Sequence, residues 1–95
     1  MTQEQNEFIN SITDVHLRTF LRLKEEQFNN VWSDECERLF LETRMGIIHI
    51  AENYLLRPVR TFNPHLLTFT PESEPIRVEI ADSITEIFNT WRQNN

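Results

Sequence analysis

Residues 34–57 read DECERLFLETRMGIIHIAENYLLR, and this stretch decides the fold. Its apolar residues recur every three or four positions, which is the spacing that places side chains on one face of a helix. Ser33 and Asp34 can accept hydrogen bonds from the free amides of a helix start, and Pro58 stops the helix. The sequence therefore predicts a helix from about Asp34 to Arg57. Its main apolar face carries Cys36, Leu39, Phe40, Thr43, Ile47, Ile50, Ala51 and Tyr54.

A second apolar group lies about a third of a turn from that face. A chain with so few elements has difficulty burying both faces, so the helix is expected either at the centre of the fold or at a subunit interface. Apolar residues interrupted by charges are typical of interfaces. We predict that the group binds a partner, and that the protein forms a homodimer. Its members are Leu41, Met45, Ile48 and Leu55.

The preceding residues predict another long helix, from about Thr2 to Phe28. Apolar side chains again recur at spacings of three and four, including Phe8, Ile12 and Leu23. Asn29 and Asn30 then supply polar turn residues, so the two long helices are expected to pack antiparallel.

Beyond residue 58 the helical period fails, and four prolines fall at or within the next stretch. Residues 66–70 and 76–80 are predicted as two short strands around a Pro-Glu-Ser-Glu-Pro turn. A C-terminal helix is expected from Ser83, which begins a Ser-x-x-Glu capping pattern. The rival interpretation is one longer helix from Ser73. The predicted fold class is α+β, mainly α, with two long antiparallel helices, a short β-hairpin and a C-terminal helix. The alternative is an all-α bundle, and in both cases residues 1–95 form a single domain.

The composition is that of a folded protein, and it argues against several functional classes. Hydrophobic residues make up 39% of the chain and charged residues 25%, which is ordinary for a globular domain. Gly46 is the only glycine, so a glycine-rich phosphate-binding loop is not expected. The net charge of −6 disfavours direct nucleic-acid binding, which requires lysines or arginines to neutralise phosphates.

The chain has one cysteine, Cys36, which cannot form an intrachain disulfide. The first residues lack the positive start and apolar run of a secretory signal, and no stretch approaches the ~18 apolar residues of a membrane span. These features predict a cytoplasmic protein that does not bind membranes.

One polar row on the Asp34–Arg57 helix could in principle bind an anion or a metal. It contains Arg38, Glu42, His49 and Asn53. However, His49 and Glu52 reverse the Glu-x-x-His order of metal-binding bundles, and an exposed helix face carries polar groups in any case. We predict no metal site here.

Cys36 together with His16, His49 or His65 could supply a thiolate and a base. Because Cys36 also lies on the main apolar face, a buried structural cysteine is favoured. His16 is similarly expected at the edge of the core. The sequence predicts no catalytic residue and no cofactor, so the protein is not expected to be an enzyme.

Two further features are candidates for partner binding. Arg57 and Arg60 flank Pro58 and could dock an acidic group, although basic side chains near a helix end also complement the helix dipole. Trp32 lies in the turn between the long helices, where it serves either as an interaction anchor or as a cap on the core.

The sequence therefore predicts a non-catalytic protein-binding or regulatory module that acts through helix faces. The alternative is a small acidic inhibitor or immunity-type protein that blocks a basic site on a nucleic-acid enzyme.

Overall fold

The structure, a computed structural model, describes residues 1–56 and 74–94, together with the backbone of residues 60–63 and 66–69. The described residues form helices α1 (Gln3–Phe28), α2 (Asp34–Leu55) and α3 (Glu74–Asn94). Two short strands, β1 (Arg60–Asn63) and β2 (Leu66–Phe69), lie between α2 and α3 in the chain.

Helix α1 begins and ends as its sequence predicts. The Thr2 hydroxyl accepts a hydrogen bond from the Gln5 amide, and the Gln5 side chain accepts one from the Thr2 amide, which satisfies two free donors. At the other end Asn29 and Asn30 adopt left-handed backbone angles. The Asn30 amide donates to the Lys24 carbonyl and closes the helix.

Helix α2 begins at the predicted residue. The Ser33 hydroxyl accepts from the Cys36 amide at 3.2 Å, and three acidic residues lie in the first turn. The helix ends at Leu55, two residues before the predicted end, where the Leu56 amide still donates to the Glu52 carbonyl.

Helix α3 corrects the prediction for the C-terminal third. The predicted strand 76–80 is wrong, because these residues form the first turns of α3. The predicted start at Ser83 is also wrong, since Ser83 lies inside the helix. Pro75 explains the difference: it occupies the second helical position, where the missing amide proton breaks no hydrogen bond. The longer helix that was the rival interpretation is correct to within one residue at its start.

The predicted α+β class is wrong, and the alternative, an all-α bundle, is correct. The hairpin expected between residues 66–70 and 76–80 does not form. The strand β2 instead pairs antiparallel with β1, Arg60 opposite Phe69, in a local ribbon. The described core lies between the three helices and includes Leu56, directly after α2. Its buried apolar residues are Ile9, Leu17, Phe20, Cys36, Phe40, Ile47, Ile48, Ala51, Leu56, Ile80, Ile84 and Phe88.

Helix α2 is the central element of this core. Its antiparallel packing on α1, as predicted, is visible at both ends: Phe8 stacks on Tyr54 at 4.3 Å, and Phe20 meets Phe40 edge-on at 5.3 Å. Helices α1 and α3 each pack more extensively on α2 than on each other. A shallow space therefore remains between α1 and α3.

Candidate partner-binding groove

An open groove of about 710 Å³ runs between α1 and α3. Each helix contributes four side chains to it, and four of the eight side chains (Asn10, Ser11, Asp14 and Thr90) are small and polar. Because these four side chains are short and both helices pack mainly on α2, the space between α1 and α3 stays open. The lining residues are Asn10, Ser11, Asp14 and Leu17 from α1, and Glu86, Ile87, Thr90 and Trp91 from α3.

The groove has an apolar floor and an acidic rim. Leu17 is buried, and Ile87 and Trp91 are half-buried where they pack against the core. Asp14 and Glu86 supply the charge, and none of the described lining residues is basic. Arg18 pairs with Asp14 at 2.6 Å, but both side chains are well exposed, so this ion pair is weak. The arrangement suits apolar side chains flanked by positive charges.

A cluster of aromatic rings holds the floor in place. Trp91 packs against Phe20 at 5.6 Å and against Phe40 at 5.9 Å. The Arg92 guanidinium lies over Trp32 at 4.9 Å and pairs with Glu37. These contacts involve all three helices, so Trp91 has little freedom to move out of the groove.

Trp32 belongs to this cluster, as a cap on the core. Its indole nitrogen donates to the Glu37 carboxylate at 2.5 Å, and its ring is 5.1 Å from Phe40. The side chain is half-buried. The geometry therefore favours the core-capping interpretation of Trp32 over the anchor interpretation.

The predicted second apolar group on α2 does not form one surface. Leu41 and Met45 are exposed, at 41% and 49%, whereas Ile48 is only 7% exposed and lies in the core cluster. Leu55 is half-buried and packs against that cluster. The buried face of α2 is wider than the main apolar stripe because α2 contacts two helices. Ile48 therefore belongs to the described core, and partner binding by this group stays a prediction.

The basic candidates next to Pro58 fall at or beyond the edge of the described helices. Arg57 and His65 lie outside the described residues, and of Arg60 only the backbone in β1 is described.

Comparison with protein-family models, with curated proteins and with solved structures gives no match. The assignment of a function to the chain therefore depends on the geometry of its surfaces.

Among residues 1–56 and 74–94, no three His, Cys, Asp or Glu side chains are grouped so that they could hold a metal ion. The polar row on α2 is exposed, and its Asn53 side chain donates to the His49 carbonyl at 2.9 Å.

None of the described helices combines the length and the apolar character needed to cross a membrane.

Cys36 and His16 are both held inside the helical packing. Cys36 is fully buried, and this burial raises the pKa of its thiol, even though nearby Lys24 acts in the opposite direction. His16 is half-buried, and its Nδ1 donates to the Ile12 carbonyl at 2.7 Å. Cys36 is therefore placed as a structural residue, inaccessible to a substrate.

Sequence reasoning missed the groove. Its polar members match no motif, and its floor uses residues that belong to two helices far apart in the chain. One signal was available: Leu17 lies to one side of the main α1 stripe, which indicates a second helix contact on that flank.

Proposed function

We propose that the protein is a non-catalytic binding module whose α1–α3 groove accepts a basic amphipathic helix from a partner protein. The observation that carries this proposal is the combination of an apolar floor and an acidic rim in one open groove. An amphipathic helix that lays its apolar face in a groove is a common form of peptide recognition.

The length of the groove supports a helical ligand. Asn10 and Leu17 are two turns apart on α1, a distance of about 10 Å at the helical rise of about 1.5 Å per residue. A bound helix would therefore place two or three apolar side chains, spaced by three or four residues, against Leu17, Ile87 and Trp91.

Charge selects the partner. Asp14 and Glu86 would face lysines or arginines that flank the apolar side chains, and the net charge of −6 attracts a basic chain before contact. A reducing compartment such as the cytoplasm suits a module whose single cysteine is buried and unpaired.

Nuclear magnetic resonance on the ¹⁵N-labelled protein tests the proposal. The probe is a synthetic Leu/Lys amphipathic helix, and the control peptide carries glutamate in place of each lysine. We expect the Leu/Lys peptide to shift the amide signals of Asn10 and Thr90 and the Trp91 indole signal. The glutamate peptide should leave them in place. Shifts centred elsewhere on the surface would contradict a binding site in the groove.

A matched pair of charge reversals separates the groove from general attraction. Asp14→Lys/Glu86→Lys changes the groove, whereas Glu25→Lys/Glu26→Lys makes the same change of net charge on exposed residues of α1 outside it. At roughly 0.7 kcal/mol for each of the two exposed charges, the groove variant should bind the peptide about tenfold more weakly than the control variant. Equal losses in both variants would show that net charge, and not the groove, attracts the peptide.

A further inference from the structure

The outer face of α2 points away from the core and carries an exposed glycine at its centre. This outer face consists of Arg38, Glu42, Met45, Gly46 and His49, all of them exposed. A Cβ atom added to Gly46 would meet no atom within 4 Å. None of these five residues lines the α1–α3 groove, so conclusions about the outer face stand apart from the proposed function.

Gly46 is unfavourable for the isolated chain. A glycine inside an exposed helix costs about 1 kcal/mol relative to alanine, because more backbone freedom is lost on folding. The described neighbours of Gly46 leave room for a side chain, so the packing of the described residues does not require glycine at this position. What glycine does provide is a close approach for another backbone.

We propose that a second copy of the chain packs antiparallel on this outer face. The two-fold axis runs between the two α2 helices, at the level of Met45 and Gly46. Under this symmetry Gly46 lies beside Gly46 of the partner subunit, and the two α2 backbones approach closely there. Met45 lies beside Met45 of the partner subunit on the other edge of the contact. Leu41, one turn before Met45, extends this apolar edge.

The charges on the outer face identify a second copy as the occupant. Glu42 and His49 are seven residues apart, which is two helical turns, so both lie near the middle of the face. They lie on opposite sides of the axis and at equal distances from it. The two-fold axis therefore places Glu42 opposite His49 of the partner subunit, and the same pair forms a second time. A carboxylate and an imidazole are complementary as acceptor and donor.

Sedimentation velocity on the full chain, from low micromolar to near-millimolar concentration, tests this dimer with Gly46→Gln. The longer side chain blocks the close approach and should weaken dimerisation by about tenfold or more. At concentrations at which both proteins are monomers, Gly46→Gln should unfold at a higher temperature than the original chain, because glutamine favours the helix. Asn89→Gln, on an exposed position of α3, is the control for side-chain bulk and should dimerise normally.

A charge exchange tests the pairing itself. Glu42→Lys and His49→Glu should each weaken the dimer. The double variant should restore it, because each introduced lysine would then face the glutamate introduced in the partner subunit. An equal mixture of the two single variants should form heterodimers in preference to either homodimer. The proposal is overturned if the original chain remains monomeric at near-millimolar concentration, if Gly46→Gln dimerises normally, or if the double variant is no better than the single ones.

Discussion

Thr13→Val should stabilise the protein, although it removes a polar group and adds no contact of note. Thr13 is fully buried on the core face of α1, and its hydroxyl has no hydrogen-bond partner among the described residues. An unsatisfied buried polar group costs about 1–3 kcal/mol. Valine has nearly the same shape and a similar helix propensity. We therefore expect the free energy of unfolding to rise by about 1–2 kcal/mol, and Tm to rise by roughly 5–10 °C.

Urea unfolding followed by circular dichroism measures this change, with Thr43→Val as the control. Thr43 is half-buried on α2, and its hydroxyl donates to the Leu39 carbonyl at 2.7 Å. The same substitution there removes a hydrogen bond and should leave the stability unchanged or lower it by about 1 kcal/mol. If both variants lose stability equally, the Thr13 hydroxyl is satisfied in the native state and the reasoning is refuted.

Two more predictions concern Trp32 and Cys36. Trp32→Ala should lower the free energy of unfolding, measured by urea denaturation, by about 2–3 kcal/mol, because it removes a ring from the aromatic cluster. Unchanged stability would contradict the core-capping interpretation and favour the interaction anchor. The Cys36 thiol should react slowly with a thiol reagent in the native state and rapidly in denaturant, and equal rates would show an accessible thiol. Because burial raises the pKa of this thiol in the folded state, its contribution to stability is complete below the ordinary thiol pKa. That contribution is lost as the pH rises through the folded-state pKa, so in alkaline solution the original chain should lose stability faster than Cys36→Ala.

Local signals in the sequence predicted α1 and α2 well. Thr2 and Ser33 accept hydrogen bonds from their own helices, and the Asn29–Asn30 turn depends only on residues nearby in the chain. Such features are encoded by a few neighbouring residues, so they are visible without the tertiary structure.

The predicted start of α3 was wrong because two local sequence signals are each compatible with more than one structure. Pro75 disrupts a helix interior but is well tolerated in the first turn, and only the position of the helix start decides between these cases. The Ser-x-x-Glu pattern at Ser83 caps a helix only if the chain before it is not helical. Here Ile76, Ile80 and Ile84 continue one apolar face through Ser83.

The candidate groove and the true surface of α2 depend on tertiary packing. Ile48 and Met45 are three residues apart and have similar character in the sequence, yet Ile48 is buried and Met45 is exposed. The difference arises because α2 contacts helices on two sides, and the direction of α3 is not encoded in α2. The groove exists for the same reason, since it requires two helices that share α2 as their main neighbour.

The Asn29–Asn30 turn also has a consequence for the denatured chain. Both left-handed positions found among the described residues are occupied by asparagine, so the chain closes α1 without a glycine. The chain has one glycine in 95 residues, against an average usage of about 7%. Nearly every residue therefore carries a Cβ atom, which restricts its φ and ψ angles. Each glycine avoided at a compatible site is worth about 0.4–1 kcal/mol through the smaller entropy of the unfolded ensemble. Part of the stability of this small bundle therefore comes from the restricted conformations of the chain before it folds.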